Sequence, residues 1–191
     1  MAVFEGRVRE DADTVLNRYP EAHRRSAVMP LLYLAQSVDG WITRDALREI
    51  GELLAITTAE VEAVASFYTM YRLRPTGTHV VSVCTNLACK LRGAEAVIEA
   101  AHEATGVAHG AEMSDDGLIT VHEEECLGVC DFAPAVQINL CNHDTVDPTR
   151  MRELVAGLRA GEVPSPARGP GFASFKAASR ALAGLEEVST A

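Results

Sequence analysis

Two short cysteine pairs, Cys84 with Cys89 and Cys126 with Cys130, constrain this chain more than any other feature of its sequence. Four residues separate the members of the first pair and three those of the second, while 36 lie between the pairs. A fold that uses these thiols together must bring two distant loops to one place. Four convergent thiolates suit an iron-sulfur cluster, and the wide spacing within each pair leaves backbone room for sulfides bridging two irons. A four-cysteine zinc site is the next reading, although such sites usually draw on tighter C-x2-C knuckles, which neither pair forms. A redox dithiol is also commonly C-x-x-C, and thiol chemistry or inert cysteines complete the alternatives. Disulfides require an oxidising compartment, whereas the opening residues MAVFEGRVRED carry charges and no apolar signal run, so a cytosolic setting is expected. Cys141 stands apart at the end of the apolar stretch AVQINLC and reads as a buried thiol rather than a ligand.

At 191 residues and 48% hydrophobic content, the chain can bury a sizeable core in one domain, or in one domain with a helical extension. No run approaches the ~18 consecutive apolar residues of a membrane span. A formal charge of -10 argues against nucleic acid, because phosphate binding draws its affinity from clustered Lys and Arg. No G-x-G-x-x-G follows a strand, no Walker loop is present, and no residue set suggests a flavin cradle, so no complete substrate site is expected on this chain.

The first 75 residues read as a helical domain. A helix capped by Asp11 or Asp13 carries Val15, Leu16 and Tyr19 up to Pro20. A second is expected over about 22–37, with Ala27, Val28, Leu31, Leu32 and Ala35 on one stripe and Pro30 kinking it or marking its start. After the turn at Asp39-Gly40, Thr43 caps a third helix through Ala46, Leu47, Ile50, Leu53 and Leu54. Thr57 and Glu60 form a capping-box pattern for a fourth, where Val61, Val64, Ala65 and Tyr68 share a face.

Pro75-Thr76-Gly77 marks a boundary, beyond which 76–163 reads as an α/β domain. HVVSV, residues 79–83, is a strand that runs directly into Cys84, and 87–105 reads as one helix closed by Gly106. Further strands are expected at 118–121 and 135–140, with the second cysteine pair in the loop between them, and Asp147-Pro148-Thr149 opens a last helix through Met151, Leu154, Val155 and Leu158. Both cysteine loops then leave strand ends, which is how a small sheet gathers distant residues on one rim. Residues 164–191 read as a flexible tail with a weak amphipathic stretch over 172–185.

The segments CTNLACKLRGA, ECLGVCDFAPAVQIN and DPTRMRELVAGLRAGEVP resemble the thioredoxin-like [2Fe-2S] ferredoxin family, and LLYLAQSVDGWIT and VASFYTMY extend the similarity over about Pro20 to Pro164. Within that family the likeness is greatest to members found in bacterial NADH:quinone oxidoreductase. The resemblance implies an α/β fold in which an N-terminal helical bundle precedes a thioredoxin-like domain with a small mixed sheet. It implies one [2Fe-2S] cluster whose ligands are Cys84, Cys89, Cys126 and Cys130, with no counterpart for Cys141 and no catalytic residue on this chain. Electron transfer is the implied role, in a peripheral subunit beside a partner that carries FMN and binds NADH. That subunit sits with the other subunits of the complex at the inner face of the membrane, without inserting into it. An iron-sulfur subunit of an NAD-linked formate dehydrogenase or hydrogenase, a free-standing ferredoxin and a zinc-stabilised interaction module are the alternatives.

Residues expected to tune such a cluster are the backbone N–H groups of 85–88 and 127–129, with Gly128 permitting their close approach. Asp131 and Glu123, Glu124 and Glu125 add negative charge near the second pair, which Lys90 and Arg92 oppose near the first. His102, His109, His122 and His143 read as surface or ordinary core histidines.

Overall fold

The computed structural model describes residues 3–108 and 111–185. These fall into two units, one formed by the chain up to Pro75 together with the stretch from Lys176, the other by Thr76 to Phe175.

Local signals set the helices of the first unit. Helix α1 (Gly6–Leu16) buries Ala12, Val15 and Leu16. It begins ahead of Asp11 and Asp13, so neither aspartate is its cap; both are spent on ion pairs, Asp13 with Arg9 at 3.1 Å and Asp11 with Arg180 at 2.8 Å. A 3-10 turn, Glu21–Ala27, leads into α2 (Val28–Asp39). Pro30 lies in the first turn of α2, where a backbone N–H has no partner to lose, and it therefore starts the helix rather than kinking it. Gly40, at a φ of 84°, closes α2. Thr43 Oγ1 accepts the Ala46 N–H at 3.1 Å to open α3 (Arg44–Leu54). The capping box of α4 (Thr58–Phe67) is reciprocal: Glu60 Oε2 accepts the Thr57 N–H at 2.9 Å and Thr57 Oγ1 accepts the Glu60 N–H at 3.3 Å. The stripes these caps orient converge on one core of Leu31, Leu32, Ala35, Leu47, Ile50 and Val61, each large apolar side chain contributing about 1.5–3 kcal/mol by burial.

The second unit is a four-stranded mixed sheet in the order β2-β1-β3-β4. Strand β1 (His79–Cys84) pairs in parallel with β2 (Ile119–Glu124) and antiparallel with β3 (Val136–Ile138), which pairs antiparallel with β4 (Cys141–His143). Val81 and Val83, with Val121 and Ile138, form a core with Val97 and Ala101 of α6 (Ala94–Thr105) and with Met151 and Leu154 of α7 (Pro148–Arg159). Asp147 caps α7 by accepting the Arg150 N–H at 2.7 Å.

Three expectations need correction. The helix expected over 87–105 is two helices, α5 (Leu87–Leu91) and α6, because Gly93 adopts a φ of 94° between them. The strand expected over 135–140 ends at Ile138: Asn139 and Leu140, at φ of 51° and 65°, reverse the chain into β4. Beyond Pro164 the described residues carry hydrogen-bonded structure. Ala167 N–H donates to Asn142 O at 2.9 Å, and α8 (Phe175–Leu182), not α7, is the last helix. From Lys176 onward it belongs to the first unit, where Lys176 Nζ donates to Val38 O at 2.7 Å and Gln36 Nε2 to Ser179 Oγ at 3.1 Å. Buried Ala178, Ser179 and Ala183 give this stretch an inward face of small residues that periodicity of large apolar side chains does not reveal.

Candidate functional site

The parallel register of β1 and β2 explains how two cysteine pairs 36 residues apart meet. Cys84, the last residue of β1, lies opposite Glu124, the last of β2, so the loops that leave these strands emerge side by side at the carboxyl end of the sheet. Thr85 stitches them: its N–H donates to Glu124 O at 2.7 Å and its Oγ1 to the same oxygen at 3.0 Å. Cys84 Sγ approaches Glu125 O at 3.8 Å, while Cys84 N–H donates to Ala135 O at 3.1 Å. From the first loop α5 carries Cys89 inward; from the second, a 3-10 turn, Cys130–Phe132, carries Cys130.

The structure thus brings all four predicted thiols to one rim. Cys126 Sγ and Cys130 Sγ lie 3.9 Å apart. Cys84 and Cys89 are each 1% exposed and share a small core with Ala94, Val129, Ala133 and Ala135, whereas Cys126 and Cys130 face outward. Burial pushes the Cys89 thiol up to about 11; the neighbouring Cys84 and Cys130 thiols act in the same direction, and an N–H donated by Ala135 opposes them. Cys130 is raised chiefly by its hydrogen bond and charge interaction with Cys126. Sulfurs held this close can all carry charge only with a cationic centre among them. Two sulfurs about 2.3 Å from one tetrahedral ion would be roughly 3.8 Å apart, as Cys126 and Cys130 nearly are. Among the described residues no three His, Cys, Asp or Glu side chains close on a single ion. Each loop contributes two sulfurs to the rim, and the residues fit a binuclear sulfur-bridged centre.

The groups expected to tune such a centre are only partly in place. The Thr85 N–H is spent on Glu124, and the Cys89 sulfur receives its backbone donor from Ala135, ahead of β3 and outside both expected loops. Its signal in the sequence is weak, an alanine after the proline that follows the second pair. Glu124 is buried, 3.7 Å from His122 Nε2; Glu123, Glu125 and Asp131 are exposed. Lys90 pairs with Glu95 at 3.4 Å. Glu95, Glu99, Glu123 and Glu125 line, with Lys90, a cavity of about 490 Å³. His102 bonds Val107 O through Nδ1 at 2.8 Å, His143 is buried in β4, and His109 lies outside the described residues. Cys141 is buried away from the four, its thiol donating to Pro170 O at 3.3 Å.

A small mixed sheet with two thiol pairs at the carboxyl ends of adjacent parallel strands defines an α/β protein built to hold an inorganic sulfur centre. The model of the thioredoxin-like [2Fe-2S] ferredoxin family matches residues 12–159, and the chain belongs to that family. It is 44% identical to an NADH-quinone oxidoreductase subunit of Mycobacterium bovis over 181 residues, which is 95% of this chain and 71% of that protein. It is 43% identical to NADH-quinone oxidoreductase subunit 2 of Thermus thermophilus over 146 residues, 76% of this chain and 80% of that one. In fold it is similar to a chain of an NAD+-reducing [NiFe]-hydrogenase, with a TM-score of 0.61 and 23% identity, covering 72% of this chain and 22% of the other.

Proposed function

We propose that this chain holds one [2Fe-2S] cluster on Cys84, Cys89, Cys126 and Cys130 and serves as an electron-transfer subunit of an NADH-quinone oxidoreductase. The observation that carries the reading is the convergence of the two cysteine pairs at the paired ends of β1 and β2, in a chain 44% identical across 95% of its length to a subunit of that enzyme.

When bound, the cluster supplies reversible acceptance of a single electron. Everything else falls to the residues of the chain. Cys84 and Cys89, packed under Val129, Ala133 and Ala135, keep water from one side of the site. Ala135 N–H offers a donor to the Cys89 sulfur, an interaction that strengthens as negative charge accumulates there. Cys126 and Cys130 leave the opposite edge open, and electron exchange, which falls steeply with distance, is fastest through that edge. Around it Leu87 and Leu91 of α5 and Phe132 are 69%, 78% and 45% exposed, an apolar rim suited to a partner protein. Substrate chemistry belongs to that partner, the subunit that carries FMN and binds NADH. No helix among the described residues is long and apolar enough to cross a membrane, and the chain's place at the cytoplasmic face of the membrane is held through the complex. The other assembly, an NAD-linked hydrogenase or formate dehydrogenase, has less support, since the hydrogenase likeness is one of fold alone.

Affinity purification of the tagged chain from its own cells tests the assignment. A copurifying flavoprotein with FMN and NADH oxidation is expected; a colourless chain with bound zinc and no flavoprotein would refute it.

A further inference from the structure

Phe132 ends the 3-10 turn that begins at Cys130, and that turn is held from two directions. Thr145 N–H donates to Phe132 O at 2.8 Å, with Thr145 at a φ of 50°. A β-branched residue rarely adopts that conformation, and it persists only where the surroundings impose it. Val146 N–H follows by donating to Pro134 O at 2.9 Å. On the ring itself lies the guanidinium of Arg168, its Cζ 5.0 Å from the centroid. Arg168 is in turn paired with Asp144, the residue before Thr145. The other carboxylate oxygen, Oδ1, is buried with no hydrogen-bond partner among the described residues, so the Arg168 cation is what compensates that charge. Arg168 lies beyond residues 12–159, the span that matches the family model.

We propose that Arg168 and Asp144 are positioning residues for the cluster, a charge pair that fixes the Cys130–Phe132 turn and holds the reduction potential by near-cancellation. This rests on the reading of the four cysteines as ligands of a [2Fe-2S] centre. Reduction adds one electron, so a neighbouring cation stabilises the reduced form and a neighbouring anion destabilises it. Together the two charges largely offset each other; removal of either exposes the sign of its partner.

The test is a mediated potentiometric titration of the purified holoprotein, followed by EPR at low ionic strength because Arg168 is half-exposed. R168Q is expected to lower the midpoint and D144N to raise it, R168K to stay near the unaltered chain, and R168Q/D144N to return toward it. Midpoints that do not move, or that move the same way in both single variants, overturn the inference. Should R168Q fail to retain its cluster, a raised midpoint in D144N beside an unmoved R168K supports the inference, and an unmoved or lowered D144N overturns it. Absence of iron and sulfide from the unaltered chain would defeat the reading of the site itself, a failure separate from that of Arg168.

Discussion

Asn139 Nδ2 lies 3.1 Å from His79 Nδ1, with both side chains buried. The remaining contacts of the amide settle its orientation: Oδ1 accepts the Val80 N–H at 3.2 Å and Nδ2 also donates to Phe172 O at 3.2 Å. His79 Nδ1 is therefore an acceptor, and the ring is held neutral with its proton on Nε2. Burial lowers the His79 value, and burial with the charge of Arg150 lowers that of His143. The unfolded chain then binds more protons than the folded one as pH drops. Stability is full above about pH 6.5 and declines below it, toward the lowered folded-state values. Urea unfolding midpoints across pH 4.5–8, a range chosen to bracket about 6.5, should fall on the acid side. H79N, whose Oδ1 can accept from Asn139 where Nδ1 does and which cannot titrate, should flatten part of that slope, and an unchanged slope would exclude His79 as a source.

Gly77 has no room for a side chain. A Cβ there would stand 2.7 Å from the Leu118 carbonyl carbon and 2.8 Å from Ile119 N, both backbone atoms of the β2 approach, while Gly77 N–H donates to Thr120 Oγ1 at 2.8 Å. G77A should destabilise by about 2–4 kcal/mol, since the obstruction is main chain and cannot rotate away. G93A meets nothing within 4 Å and is opposed only by its φ of +94°, so it should lose roughly 1–2 kcal/mol. Equal losses in a denaturant titration would contradict this distinction.

Side chains that act on their own backbone neighbourhood are readable in the sequence: Thr43, the Thr57 and Glu60 box, Gly40 and Asp147 each mark a real helix end. The meeting of the two cysteine loops is legible as well, because each loop leaves a strand end and those strands pair in parallel. What escapes depends on partners far along the chain. Asp11 looks like a cap until Arg180, 169 positions later, takes its carboxylate. Leu140 gives no hint of a left-handed turn, so β4 merges with the preceding strand in a reading by pattern. Ala135 becomes a donor to Cys89 only through the pairing of β3 with β1.

Gln36 is fully buried and uses both ends of its amide: Nε2 donates to Met70 O and Ser179 Oγ, each at 3.1 Å, and Oε1 accepts the Arg72 N–H at 2.7 Å. Q36L fits the space but removes these partnerships from two half-buried backbone groups and from the buried Ser179 hydroxyl. A loss of about 2–4 kcal/mol is expected in denaturant unfolding, at about 1–3 kcal/mol for each group left unsatisfied. A loss below about 0.5 kcal/mol, the range of ordinary surface changes, would show that water replaces the amide.

Cys141 is buried, as Cys84 and Cys89 are, but serves the segment around Pro170 and not the rim. C141S should therefore leave the cluster's visible absorption intact, whereas C126S or C130S should weaken or abolish it. Loss of the chromophore in C141S alone would overturn the assignment of the four ligands.

The most direct measurement is an iron and acid-labile sulfide determination on anaerobically purified protein, with EPR after dithionite reduction. Two irons and two sulfides per chain are expected, with a spin signal that appears only on reduction, as four thiolates around a binuclear centre require. One zinc per chain, no sulfide and no signal would contradict it.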